Sequence, residues 1–271
     1  MTHILHLTDV HFGGEDKAAV ESAIAFAHEN PPLVTLVTGD LTLNGLPAEF
    51  EAAAAWLERL PKPVRVVPGN HDTPYWNLPL RALTPFARFR RWIGPSEWAA
   101  FDDPALVLRA ANSARGAQPR PDWSKGAMKL GVCRRATADF AHGAPGALRV
   151  FACHHPLIEA VGSPVSGDVR RGRLAACVLA NGGCDLILTG HVHVPFAVPL
   201  ALEDERTYAV GGGTLSTRLR GAPASFSVLS WDKASVVVVA QGWTGARYEP
   251  WRTWSLPRRL PEATEALVAA A

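Results

Sequence analysis

The sequence predicts an α/β protein organised on parallel strands, and three observations predict it. From Ile4 to Val67, short apolar runs alternate with helix-period segments in the order strand, helix, strand, helix, strand. That order implies parallel pairing with crossover helices, and it puts a ligand site beyond the carboxyl ends of the strands. The apolar runs also stop at residues rich in chemistry: Asp9-Val10-His11, Gly39-Asp40, Gly69-Asn70-His71-Asp72, His154-His155-Pro156 and Gly190-His191-Val192-His193. After His193 the runs become closely spaced, the pattern of antiparallel, hairpin-linked strands.

Taken in order, Ile4 to Thr8 reads as a buried strand and Lys17 to Asn30 as a helix with Val20, Ile24 and Ala27 on one face, stopped by Pro31-Pro32. Leu33 to Thr38 is a second strand. Pro47 opens a helix through Phe50, Ala54 and Leu57, which ends at Pro61 before the strand Val64 to Val67. From Thr73 to Pro104 the pattern breaks into a stretch rich in proline, aromatics and arginine. Arg81, Arg88, Arg90 and Arg91 face only Glu97 as an opposing charge up to Phe101. A cap over an anionic substrate and a surface excursion that packs its own aromatics both account for it.

Beyond it, Ala105 to Ala111 reads as a strand, Gly116 to Asp122 as a loop, Ala127 to Ala141 as a helix and Leu148 to Cys153 as a strand. Val169 to Ala180 is a helix that Asn181-Gly182-Gly183 closes through a left-handed cap. Asp185 to Thr189, Phe196 to Leu200, Arg206 to Val210, Ser225 to Trp231 and Ser235 to Ala240 read as strands. The Ala-rich stretch from Glu262 to Ala271 is a short helix or a frayed end.

The 271 residues suffice for one domain with a substantial core. With 27 basic against 25 acidic residues, the formal charge is +2 and gives no case for a nucleic-acid partner. Cys133, Cys153, Cys177 and Cys184 show no CxxC spacing, which fits reduced thiols and a cytosolic setting. No run is long enough to span a bilayer, and no secretory leader pattern opens the sequence.

Asp9, His11, Asp40, Asn70, His154, His191 and His193 form a candidate metal-ligand set. Mixed imidazole and carboxylate donors suit Mn, Fe or Zn. Seven donors exceed what one ion takes, whereas two ions sharing a carboxylate would use them all, with a bridging water or hydroxide as nucleophile on phosphorus. Such a pair, roughly 3.5–4 Å apart, clamps a phosphate. His71 is free to stabilise the developing charge or protonate the leaving group, and Asp72 to orient its ring. Each motif alone is ordinary turn or loop chemistry. Their conjunction is not, since six of the ten histidines fall at these strand ends. His3, His6, His28 and His142 read as structural.

These blocks, in this order, resemble the signature of the calcineurin-like metallophosphoesterases: D-x-H, G-D, G-N-H-[D/E], H and G-H-x-H. The resemblance implies a two-sheet β-sandwich flanked by helices in four layers, and a dinuclear metal-dependent phosphoesterase. It implies one ion, divalent or part of a mixed-valence pair, on Asp9, His11, Asp40 and His193, and another on Asp40, Asn70, His154 and His191. Asp40 would bridge them, and His71 would contact the phosphate. The His154-His155-Pro156 form is similar to the branch of class III cyclic nucleotide phosphodiesterases and glycerophosphodiesterases, with His155 behind the ligands. A cyclic nucleotide or another small phosphodiester is then the expected substrate. The alternatives are a pyrophosphatase of a nucleotide-linked lipid such as UDP-diacylglucosamine, whose family members more often carry Arg where this chain has His71, and a scaffold without catalysis. Gly211 to Arg218 reads first as a Gly-rich turn serving the sheet, with Thr214, Ser216 and Arg218 as its residues nearest the site.

Overall fold

Alternating side chains along each strand send one set toward helices and the other toward a second sheet, and the whole arrangement follows from that division. The computed structural model describes residues 2–159, 163–200 and 207–258. The first sheet contains β1 (His3–Leu7), β2 (Val34–Val37), β3 (Val64–Val66), β10 (Ser225–Trp231), β11 (Ser235–Trp243) and β12 (Tyr248–Pro257) in the order β12-β11-β10-β1-β2-β3. The second contains β4 (Trp98–Asp103), β5 (Leu106–Ala111), β6 (Leu148–Ala152), β7 (Leu186–Thr189), β8 (Phe196–Pro199) and β9 (Tyr208–Gly211) in the order β4-β5-β6-β7-β9-β8.

In β1, Leu5 and Leu7 join the core beneath helices α1 (Lys17–Glu29) and α2 (Pro47–Arg59), against Val20, Ile24, Phe50 and Trp56. Ile4 faces the other way, into an inter-sheet core with Leu36, Leu108, Val150, Leu188 and Val238. The far face of the second sheet packs Phe151 and Ile187 against α5 (Leu130–Ala141) and α6 (Gly172–Asn181). The result is four layers, helices outside two mixed sheets. The Asp16 carboxylate caps α1 by accepting the Ala19 amide at 3.1 Å, and Gly183 at φ +80° supplies the left-handed turn expected after α6.

The structure differs from the sequence expectation in three ways. The antiparallel hairpins expected late in the chain form at β8–β9 and β10–β11–β12, but β9 also pairs parallel to β7, and β10 joins the first sheet beside β1, His3 opposite Ser230. Two edge strands lay unread. β4 sits inside the Thr73 to Pro104 excursion, its Trp98-Ala-Ala-Phe-Asp-Asp sequence showing no clean alternation, and β12, an edge strand, carries Pro250 opposite Gln241 at a register shift. Trp254 of β12 packs on the inter-sheet core, so it covers the protein's own sheet. The helices expected from Ala127 and Val169 start at Leu130 and Gly172. Arg206 and the Glu262 to Ala271 stretch lie outside the described residues.

The excursion also contains α3 (Leu78–Leu83) and α4 (Ala87–Trp92). Its arginines are largely committed to the fold. Arg81 donates to the carbonyls of Gly116 and Trp123, Arg88 to that of Gly45, and Arg90 pairs with Glu97, while Arg91 lies over Trp92. Among the described residues no helix is long and apolar enough to cross a membrane.

Candidate metal centre

Strand order places every expected donor on one rim. Asp9 and His11 follow β1, Asp40 follows β2 and Asn70 follows β3, all in the first sheet, whereas His154 follows β6 and His191 and His193 follow β7 in the second. The two sheets meet at these carboxyl ends. Asp9, His11, Asp40, Asn70, His154, His191 and His193 are all buried. Their donor atoms gather in overlapping groups such as Asp9, His11, His193 and Asp9, Asp40, His154, within 4.8 Å of one another, a spacing that could hold metal ions.

The backbone bends sharply to aim them. Asp9, His11, Asp40, His191 and His193 have φ between 50° and 69°, so five of the seven described non-glycine residues with positive φ are expected donors. Each such residue costs about 1–2 kcal/mol over a right-handed one, and such strain collects at functional sites. Glycines permit the approach. A Cβ on Gly69 would stand 2.1 Å from Asp40 Oδ1, and one on Gly190 would stand 2.0 Å from Thr8 Oγ1.

Carbonyls fix the imidazole tautomers, because a carbonyl only accepts. His154 Nδ1–H donates to Thr38 O at 2.7 Å, His193 Nδ1–H to Arg218 O at 2.8 Å and His11 Nδ1–H to Thr42 O at 3.3 Å. Each Nε2 is thereby left facing the cluster as a donor. Asp9 Oδ2 accepts from Thr8 Oγ1 (2.7 Å) and from the His191 amide (2.9 Å), which turns Oδ1 toward His193 Nε2 at 3.1 Å. Asp40 Oδ1 accepts the His71 amide at 2.8 Å. Its Oδ2 lies 3.3 Å from His154 Nε2 and 3.8 Å from His11 Nε2, between the two halves of the cluster.

The cluster suits cations. Asp9 Oδ1, Asn70 Oδ1, His154 Nε2 and His191 Nε2 are buried without a hydrogen-bond partner, an arrangement that is costly unless a cation meets them. Burial alone would raise the carboxyl pKa of Asp9 and Asp40, yet the surrounding histidines hold both well below the usual range. Burial pushes His11 and His191 down to about 3, and hence neutral and able to ligate. Burial likewise opposes charge on His154, but Asp40 and Asp9 outweigh it and raise this pKa to about 9. A metal ion and a proton therefore compete for this ring.

The remaining expected residues lie around this set. His71 is half-buried, donates Nδ1–H to Leu43 O at 2.6 Å and holds Nε2 3.1 Å from Arg218 Nη1. Leu43, not Asp72, therefore orients the His71 ring. Asp72 instead accepts from the amides of Thr42 and Gly69, fixing the loops that carry Asp40 and Asn70. His155 has both nitrogens engaged, Nδ1 with Ser113 Oγ at 2.9 Å and Nε2 with Ser124 O at 2.8 Å, so it braces the loop at Ser124. The segment from Gly211 to Arg218 does more than turn the sheet: Thr214 Oγ1 donates to Asp9 O at 2.6 Å. Sequence reasoning missed Arg220, which donates to His191 O at 3.2 Å, as well as Thr8 and the carbonyls of Thr38 and Leu43. An arginine two residues past Arg218 was the one available signal.

His6 lies behind the cluster, fully buried, with Nε2 2.8 Å from Thr38 Oγ1. Burial lowers its pKa from 6.5 to about 4. The unfolded state thus takes the proton first, so stability from His6 is fully present above pH 6.5 and is lost as pH falls to about 4. That window is worth about 3 kcal/mol. Urea denaturation of metal-free protein should show a loss between pH 7 and pH 4 that is smaller in His6→Asn by about this amount, the rest of the loss coming from His11 and His191, which titrate in the same direction in both proteins.

A model of the calcineurin-like phosphoesterase family matches residues 2–195. Over 80 residues the chain is 32% identical to a protein of Synechococcus sp. named as a probable cyclic nucleotide phosphodiesterase, a match covering 26% of this chain and 31% of that relative's length. The fold is similar to a dimetal phosphatase from Danio rerio (TM-score 0.67, 10% identity, 95% of this chain and 99% of that one). It is also similar to GAP50, titled the anchor in the inner membrane complex of Plasmodium (TM-score 0.62, 14% identity, 96% and 90%).

Proposed function

The chain belongs to the calcineurin-like phosphoesterase family, and on that premise we propose that it is a phosphodiesterase using two metal ions, with a small diester such as a cyclic nucleotide as substrate. The observation that carries this reading is the set of four buried, unpartnered donor atoms on Asp9, Asn70, His154 and His191. Asp9, His11, Asp40 and His193 would hold one ion and Asp40, Asn70, His154 and His191 the other. When bound, such a pair polarises a phosphate ester and activates water as the nucleophile.

The chain's own residues do the rest. Arg218 is poised to take a non-bridging phosphate oxygen, since its guanidinium already reaches the edge of the cluster at His71. His71, its ring fixed with Nδ1–H on Leu43 O, turns Nε2 toward Arg218; once Nε2 has taken up a proton from solvent, the ring can pass it to the leaving oxygen and return to the neutral form. Asp72 and His155 hold the loops in place. The diester preference rests on the His154-His155-Pro156 form and on the name borne by the Synechococcus relative. Four free thiols, three of them buried, support a reducing, cytosolic setting.

Metal-stripped protein resupplied separately with Mn, Fe, Zn or Mg should hydrolyse bis(p-nitrophenyl) phosphate, with kcat/KM about tenfold or more above that for p-nitrophenyl phosphate. Two bound ions without turnover on either substrate would instead make the protein a scaffold. A second reading, a pyrophosphatase of a nucleotide-linked lipid, draws on Trp76 and Leu78, which stand 75% and 55% exposed. UDP-diacylglucosamine in the same assay separates the two.

A further inference from the structure

Beside the donor cluster lies a cleft of about 640 Å³ that reaches Asn70, His71 and Arg218 at one end and is otherwise lined by residues without a part in the chemistry above. The rest of its lining comes from the excursion after β3 and from the loop of Pro121 to Ser124. The Tyr75 ring lies within 9° of parallel to His71, with centroids 6.4 Å apart, and Trp76 stands edge-on to Tyr75 at 4.8 Å and 76°. Together they form an aromatic corner leading away from the reacting atoms. Tyr75 is 45% and Trp76 75% exposed, so both rings present unpacked faces to solvent.

The other lining loop is held rigid. Trp123 donates Nε1–H to Gln118 O at 3.1 Å, and the Arg81 guanidinium sits 5.8 Å from its ring centroid. Arg81 is itself anchored on the Gly116 and Trp123 carbonyls, and His155 ties down Ser124. Rigid aromatic surfaces next to a cation and an activated phosphate site match one kind of ligand: a flat ring system attached to a phosphate. The lining also includes Asp122 and Ser124, which bond to each other, so it is more polar than an acyl chain would favour.

We propose that this cleft is the subsite for the ester substituent that stays clear of the metal-donor cluster, and that its occupant is a planar aromatic group, a nucleobase or an aryl ring. It stacks on the face of Trp76 with Tyr75 at its edge, while Arg218 holds the phosphate. The assignment rests on reading the centre as a phosphoesterase, but it concerns binding and is testable without turnover.

The test is calorimetric titration of manganese-loaded protein with AMP and with ribose 5-phosphate, which keeps the sugar and phosphate but lacks the base. AMP is expected to bind about tenfold or more tightly, the effect of one stacked base. Trp76→Ala should remove most of that difference while shifting ribose 5-phosphate by less than about twofold, and Trp76→Phe should restore it. Trp76 is exposed, so folding is not at stake. Equal affinities for the two ligands on the unaltered protein, or a difference that survives in Trp76→Ala, would overturn the proposal. Base-dependent binding with no hydrolysis of any diester would leave the subsite standing and defeat the phosphodiesterase reading. Hydrolysis without base-dependent binding would do the reverse.

Discussion

Asp40→Ala should lose metal binding and turnover together. Asp40 Oδ2 lies between His154 and His11, and its Oδ1 is already taken by the His71 amide, so the carboxylate joins the two halves of the cluster and the loop after β3. Removing it deletes the one donor that both ions would share. The five remaining histidine and asparagine donors and Asp9 would hold at most one ion well. Metal analysis by mass spectrometry is expected to fall from two equivalents toward one or none. The kcat on bis(p-nitrophenyl) phosphate should fall about 10³-fold or more, since an activated water and a charge clamp are lost together. Unchanged activity in this variant would dismiss the two-ion centre altogether.

His71→Ala separates chemistry from metal holding. This ring is half-buried whereas the proposed ligands are buried, and its Nε2 lies 3.1 Å from Arg218 Nη1. The variant should keep two metal equivalents and lose roughly 10²–10⁴ in kcat, the range of a positioned general acid. The loss should shrink for substrates whose leaving group needs no proton, such as p-nitrophenol, compared with an alkoxide. A drop in metal content to one equivalent would instead make His71 a ligand, alongside His11 and Asp40, with which it shares a possible metal-holding group.

That these seven side chains would gather on one rim was legible in the sequence because each block of metal-ligand residue types comes just after an apolar run, and parallel strands deliver such residues at their carboxyl ends. Asp9, Asp40, Asn70, His154 and His191 each follow an apolar run short enough to be a strand. What orients those donors was not legible. The Thr38, Leu43 and Arg218 carbonyls that set the ring tautomers are backbone atoms and leave no mark in residue identity. Asp72 looked like the partner of the adjacent His71, yet the fold turns it toward Thr42 and Gly69. The sheet membership of the last strands was hidden for a different reason. Hairpins are local and readable, but the pairing of β10 with β1 is a long-range choice made by the inter-sheet core, where Leu229 and Ile4 meet the same hydrophobic layer. Edge strands β4 and β12, half exposed and interrupted by acids or proline, lack the alternation that a buried face imposes.

The pairing of β1 with β10 also sets a timetable. His3 to His6 leave the ribosome long before Ser227 to Ser230, and one side of their ladder stays open until those arrive. At about 5–20 residues per second, a nascent chain waits on the order of ten seconds or more with an apolar central strand half paired. During that interval β1, β2 and β3 are sheltered by their parallel neighbours, by helices α1 and α2 and, as its strands emerge, by the second sheet, while the β10 side of β1 stays open. Parallel, long-range pairing of this kind is slow and prone to off-pathway association. The ladder of β1 is therefore complete only once β10 has been made, and an arrested chain that stops short of Ser225 keeps that edge of β1 open.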